Sequence, residues 1–78
     1  MYFKRLKDLR EDNDLRQDEV AKLLNITRQL YGLYESGKST IPIYLLIELA
    51  KFYNVSIDYI VGISNQKKSF NQEKNMQK

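Results

Sequence analysis

The chain contains no cysteine and no histidine among its 78 residues. That inventory removes disulfides, thiolate nucleophiles, imidazole acid-base chemistry and the usual zinc ligand sets. Tryptophan is also absent, and three glycines leave no glycine-rich phosphate loop. Asp14, Asp18 and Glu19 lie close together, but as turn and first-turn helix residues they have an electrostatic reason to be there that needs no metal and no general acid-base pair. The expectation is a protein that is not an enzyme and has no cofactor or metal. No apolar run approaches the roughly 20 residues of a membrane-spanning helix. Met1 is not followed by the basic-then-apolar pattern of a secretory signal, so a cytoplasmic location is expected.

Excess charge is missing from most of the chain as well. The formal net charge is +3, but residues 1–62 hold nine Lys or Arg against nine Asp or Glu. The surplus lies in residues 63–78, where Lys67, Lys68, Lys74 and Lys78 face only Glu73. Net charge therefore says little about a nucleic-acid partner, and any such case must rest on where individual side chains point.

What the chain does have is helical periodicity. Phe3, Leu6 and Leu9 recur every third residue, which predicts a first helix from about Tyr2 to Glu11 with Lys4, Lys7 and Asp8 opposite. Asp12, Asn13 and Asp14 predict a turn. A second helix runs from Gln17 to Leu24 through Val20, Ala21, Leu23 and Leu24, with Arg16 where a capping Ser or Thr is expected. Asn25 suits a left-handed turn, and Thr27 caps a third helix, Arg28 to Glu35, that ends at Gly37. Pro42 fits the first position of a fourth, strongly apolar helix carrying Ile43, Leu45, Leu46, Leu49, Ala50, Phe52 and Tyr53. Ser56 caps a short fifth helix that Gly62 stops. No segment alternates like a strand. The expected fold is all-α, a five-helix domain over 1–62 followed by a polar tail over 63–78 that is either flexible or an exposed helix.

On a helical wheel the third helix separates into two arcs. Leu30, Tyr31 and Tyr34 fall together, with Thr27 at the margin, while Arg28, Gln29, Gly32, Leu33 and Ser36 fall on the other side. The second arc joins a guanidinium and a carboxamide, the groups that pair bidentately with guanine and adenine edges, to a residue whose lack of a side chain permits close approach. A short helix, a turn of about three residues and a second helix is how a reading helix is held proud of a domain. The six tyrosines, Tyr2, Tyr31, Tyr34, Tyr44, Tyr53 and Tyr59, are read as core or interface residues, since aromatics at helical spacing usually pack.

The stretch from Gln17 to Lys38, with Ala21 at the helix crossing, Ile26 after the turn, Tyr34-Glu35 closing the third helix and Gly37-Lys38 beyond it, resembles the helix-turn-helix of the phage repressor and Cro family, also called the xenobiotic-response-element type. The flanks Leu9-Arg10-Glu11, Leu49-Ala50-Lys51 and Val55-Ser56-Ile57-Asp58-Tyr59 agree, so the resemblance covers residues 3–62. It implies a lambda-repressor-like fold with the helix-turn-helix at 17–35. By position, it implies DNA base contacts from Arg28, Gln29 and Leu33 and phosphate contacts from Gln17, Ser36, Lys38, Thr27 and Arg16. It also implies a structural ion pair between Arg10 and Glu35. Asn25 replaces the family's usual Gly, Arg16 its usual Thr or Ser, and Tyr31 its usual Ile or Val.

The function these observations imply is a double-stranded DNA-binding transcriptional regulator, a repressor acting as a homodimer on half-sites about one helical turn apart. The dimer contact is expected from helix 5, the Ile60-Val61-Ile63 edge or the tail. A second reading keeps the fold but binds a protein partner through the Leu33 face, the exposed tyrosines or the C-terminal tail.

Overall fold

A computed structural model describes residues 1–67. Five helices and no strand lie among the described residues: α1 (Lys4–Asp12), α2 (Gln17–Leu23), α3 (Arg28–Ser36), α4 (Ile43–Tyr53) and α5 (Ile57–Val61). The fold is all-α, and each boundary has a local cause. Thr27 Oγ1 accepts the Leu30 N–H at 3.1 Å and Ser56 Oγ accepts the Tyr59 N–H at 2.9 Å, which satisfies donors that a helix start leaves unpaired. Asn25 takes φ 58° in the turn between α2 and α3, and Gly37 takes φ 82° after α3. Gly37 also lies against Tyr2, so a Cβ there would fall 2.7 Å from Tyr2 Cβ.

Two helix starts differ from the sequence reading. α1 begins at Lys4 rather than Tyr2, because Phe3 is extended and serves as its N-cap. Pro42 precedes α4 instead of opening it, with ψ 155°. Proline's missing N–H is tolerated at either place, so composition alone does not separate them. At α2, Arg16 has no acceptor to offer, but the Glu19 carboxylate reaches back to accept the Arg16 backbone N–H at 2.8 Å, which supplies half of a capping box.

Leu6 and Leu9 of α1, Val20 and Ala21 of α2, Tyr31 of α3, Leu45, Leu46 and Leu49 of α4 and Ile60 of α5 meet in one core. α2 packs along α3, while α1 contacts both α3 and α5. α3 is thereby held on one face only, which leaves its other face outward. Leu23, Ile43 and Phe52, which the apolar pattern placed with the core helices, are exposed. Among the tyrosines, Tyr31 is buried and Tyr34, Tyr53 and Tyr59 are half-buried, whereas Tyr2 and Tyr44 are exposed.

Residues 63–67 fold back on the domain. The Arg5 guanidinium lies 4.1 Å over the Tyr59 ring and donates to the carbonyls of Tyr59 and Ser64 and to Asn65 Oδ1. The Ser56 N–H donates to the Lys67 carbonyl. Over 63–67 the tail expected at 63–78 forms no helix, and the expectation for 68–78 lies outside the described residues.

Candidate nucleic-acid interface

α3 is anchored from behind. Arg10 near the end of α1 grips Glu35 near the end of α3 with two hydrogen bonds, Nε to Oε2 and Nη2 to Oε1, both at 2.9 Å. Its remaining nitrogen, Nη1, donates to the Leu15 carbonyl at 2.8 Å, which ties in the turn between α1 and α2. Gln17 Nε2 donates to Glu35 Oε1 at 3.4 Å, so the first residue of α2 joins the same carboxylate. Burial alone would raise the Glu35 carboxyl, but the hydrogen bonds and charge of Arg10, together with the polar groups of Tyr31 and Gln17, outweigh it and hold the group below the usual carboxylate range. Tyr31 fills the space beside this pair and is fully buried.

With that face fixed, α3 presents Arg28, Gln29, Leu33 and Ser36 outward, all exposed, with Gly32 half-buried between them. Leu33 is 40% exposed. Arg28 forms no ion pair among the described residues, so its guanidinium is available to a ligand. Lys38 is exposed in the loop after α3 and is likewise unpaired among those residues.

Besides Lys38, the residues expected to touch phosphates divide into two sets. Gln17 and Ser36 line one open recess of about 270 Å³ together with Tyr2, Lys7, Gly32 and Glu35. Lys7 was not singled out by the sequence reading, and its placement beside Gln17 depends on how α1 packs against the rest of the domain. Its position on the polar face of α1 was the only signal. Thr27 and Arg16 are engaged locally instead. Thr27 caps α3, and Arg16 Nε pairs with Asp18 at 3.0 Å, which holds the Asp18 carboxyl below its ordinary range.

This arrangement defines a helix-turn-helix module: a short helix, a left-handed turn at Asn25 and a second helix whose outer face carries hydrogen-bonding side chains. A family model described as helix-turn-helix matches residues 6–60. Over 76 residues, 97% of this chain and 68% of the relative, the sequence is 34% identical to the HTH-type transcriptional regulator YobD of Bacillus subtilis. It is 36% identical over 64 residues, 82% of this chain and 58% of the relative, to the cryptic phage CTXphi transcriptional repressor RstR of Vibrio cholerae. The crystal structure of a transcriptional regulator from Listeria innocua superposes with a TM-score of 0.72 at 29% identity, covering 92% of this chain and 67% of that one. The chain belongs to the helix-turn-helix family, of the phage repressor and Cro type. It spans roughly three-fifths to two-thirds of the length of these relatives.

No helix among the described residues is long and apolar enough to cross a membrane.

Proposed function

We propose that this chain is a sequence-specific double-stranded DNA-binding transcriptional regulator, a repressor that acts as a homodimer with α3 in the major groove. The observation that carries the reading is the two-sidedness of α3. Tyr31 and Glu35 are buried against the domain while Arg28, Gln29 and Leu33 face outward from the same nine residues. Arg28 and Gln29 read base edges by bidentate pairing, and Leu33 packs on thymine methyls. Gln17, Ser36 and Lys38 grip the phosphate backbone, joined by Lys7 from the shared recess. Thr27 and Arg16 are the weaker phosphate candidates because each already has a partner within its own helix start. The names of the relatives, a transcriptional repressor among them, support the regulatory role. A protein-binding use of the Leu33 face is the competing reading, and the exposed, unpaired Arg28 on the same outward arc of α3 favours DNA.

Gel-shift titration against the DNA upstream of the protein's own gene, at several salt concentrations, tests the proposal. A specific shift with a log-log salt slope set by the number of phosphate contacts is expected. Absence of any specific site at low salt would sink it.

A further inference from the structure

Tyr2 stands between two recesses whose charges differ. One, of about 310 Å³, holds Lys4, Arg5 and Asp8 beside Val61 and Gly62. Its cations are engaged: Lys4 pairs with Asp8 at 3.4 Å, and Arg5 is bound to the carbonyls of Tyr59 and Ser64 and to Asn65. The other is the recess of about 270 Å³ that Tyr2 shares with Lys7, Gln17 and Ser36. Lys7 is exposed and makes no ion pair among the described residues. Glu35, the acid in that lining, has both carboxylate oxygens taken by Arg10. What this second recess offers is a free ammonium with neutral donors around it, a combination that suits an anion.

The same recess reaches the outward arc of α3. Gly32 and Ser36, four residues apart and so in line with Arg28, form part of its wall. A helix seated in the major groove runs between two phosphate ridges, and the flank on which α3 meets Gln17 of α2 and Lys7 of α1 faces one of them. Tyr2 is 59% exposed there, and its hydroxyl makes no hydrogen bond among the described residues. Its main chain is nonetheless held in place. A Cβ on Gly37 would fall 2.7 Å from Tyr2 Cβ and 2.9 Å from Tyr2 Cα, so the glycine that ends α3 is also what lets the Tyr2 backbone lie against it. A phenol anchored in this way to the end of α3 can donate to a phosphate at little ordering cost.

We infer that Tyr2 is a DNA-contact residue: the recess seats one backbone phosphate, to which the Tyr2 hydroxyl donates alongside Lys7 and Gln17. The inference rests on the DNA reading proposed above, and it adds a neutral contact from a residue outside the helix-turn-helix.

Binding titrations on the specific site over a range of salt test it, with thermal melts to show that each variant is folded. Tyr2→Phe removes only the hydroxyl. It should weaken binding to all sequences by about tenfold and leave the salt slope unchanged, because a phenol displaces no counterion; Lys7→Ala should lower that slope. In a Lys7→Ala background the Tyr2→Phe loss should shrink, since both side chains act on one phosphate. On duplexes carrying a single methylphosphonate, the position that abolishes the effect of Lys7→Ala should also abolish that of Tyr2→Phe. Wild-type affinity in a folded Tyr2→Phe protein, or losses from the two variants that multiply and map to different phosphates, would overturn the assignment and leave the DNA reading standing. A wild type with no specific site would overturn the DNA reading itself. Inorganic phosphate binding the recess at micromolar concentration without DNA, followed by the amide resonances of Lys7 and Ser36, would make it a free-anion site and overturn the proposal.

Discussion

Arg10 and Glu35 meet edge to edge through two 2.9 Å hydrogen bonds, with side chains only 13% and 5% exposed. One ion pair therefore fixes the far end of α3 to α1, and through Arg10 Nη1 and Gln17 it also fixes the turn and the start of α2. Removing one partner strands the other charge in a buried site, a change that costs about 3 kcal/mol or more. Arg10→Ala and Glu35→Gln should each lower the unfolding free energy from urea denaturation by that scale. The paired change to Met and Leu should recover much of it, since a buried pair seldom outperforms well-packed apolar groups. Losses below about 1 kcal/mol for both single variants would show that the contact contributes little.

The same pair sets an acid limit. The Glu35 carboxyl titrates below its unfolded value of about 4.3, so its contribution is present above that value and lost as pH falls through the lower folded one. Unfolding free energy should therefore drop steeply in that acid window, and Glu35→Gln, though less stable at neutral pH, should show a flatter acid limb. Chemical denaturation at stepped pH measures both.

An alkaline limit follows from burial elsewhere. Burial pushes the Tyr53 hydroxyl up to about 12, and its buried oxygen has no hydrogen-bond partner among the described residues. A folded pKa above the unfolded value of about 10 means that stability is full below 10 and falls as pH rises toward 12. Tyr53→Phe should blunt that fall while costing little or nothing at neutral pH, because it removes an unsatisfied polar atom. Denaturation curves at pH 7 and pH 11 decide it, and a large neutral loss in the variant would contradict the account.

Much of this fold is legible in single residues. Thr27, Asn25, Gly37, Ser56 and Gly62 each have a conformational reason to stand at a helix boundary, and the structure puts each at one. What could not be read is direction once a helix is apolar on more than one side. Hydrophobicity placed Leu23, Ile43 and Phe52 with the core helices, but packing turned them outward. Contacts between segments distant in sequence were equally silent. Arg5 binding the backbone at Ser64, and Lys7 sharing a recess with Gln17, follow from the docking of α1 against later elements and leave no periodic trace. The outward set of α3 was readable because a single buried stripe fixed its rotation.

Two glycines near that set should respond oppositely to alanine. At Gly37, φ 82° and a Cβ position 2.7 Å from Tyr2 make Gly37→Ala destabilising by about 1 kcal/mol or more. At Gly32, the nearest atom to an added Cβ is Gln17 Oε1 at 3.7 Å, an ordinary contact. Gly32→Ala should therefore stabilise the helix by up to about 1 kcal/mol, yet weaken DNA binding by obstructing close approach of α3. Thermal melts and binding titrations on the same samples test the opposition. A stabilised variant with unchanged affinity would remove Gly32 from the interface.

The last prediction separates base reading from phosphate gripping. Gln29 is exposed at the start of α3 and carries a group matched to an adenine edge. Gln29→Ala should cost roughly 1 to 3 kcal/mol on the preferred site, relax preference at one base position and leave the salt slope unchanged. Lys38→Ala and Lys7→Ala should instead weaken all sequences alike and each lower the salt slope by about one, because each removes a cation that displaces a counterion. Arg16→Ala provides the contrast. Its guanidinium is already paired with Asp18, so removing it should alter the slope less than removing Lys7 does. If Arg16 moved the slope more than Lys7, the recess beside Gln17 would not be where the backbone phosphate lies, and the contact would belong at the N-terminal edge of α2. If Gln29→Ala and Lys38→Ala behaved alike, the division of α3 and its following loop into reading and gripping parts would fail.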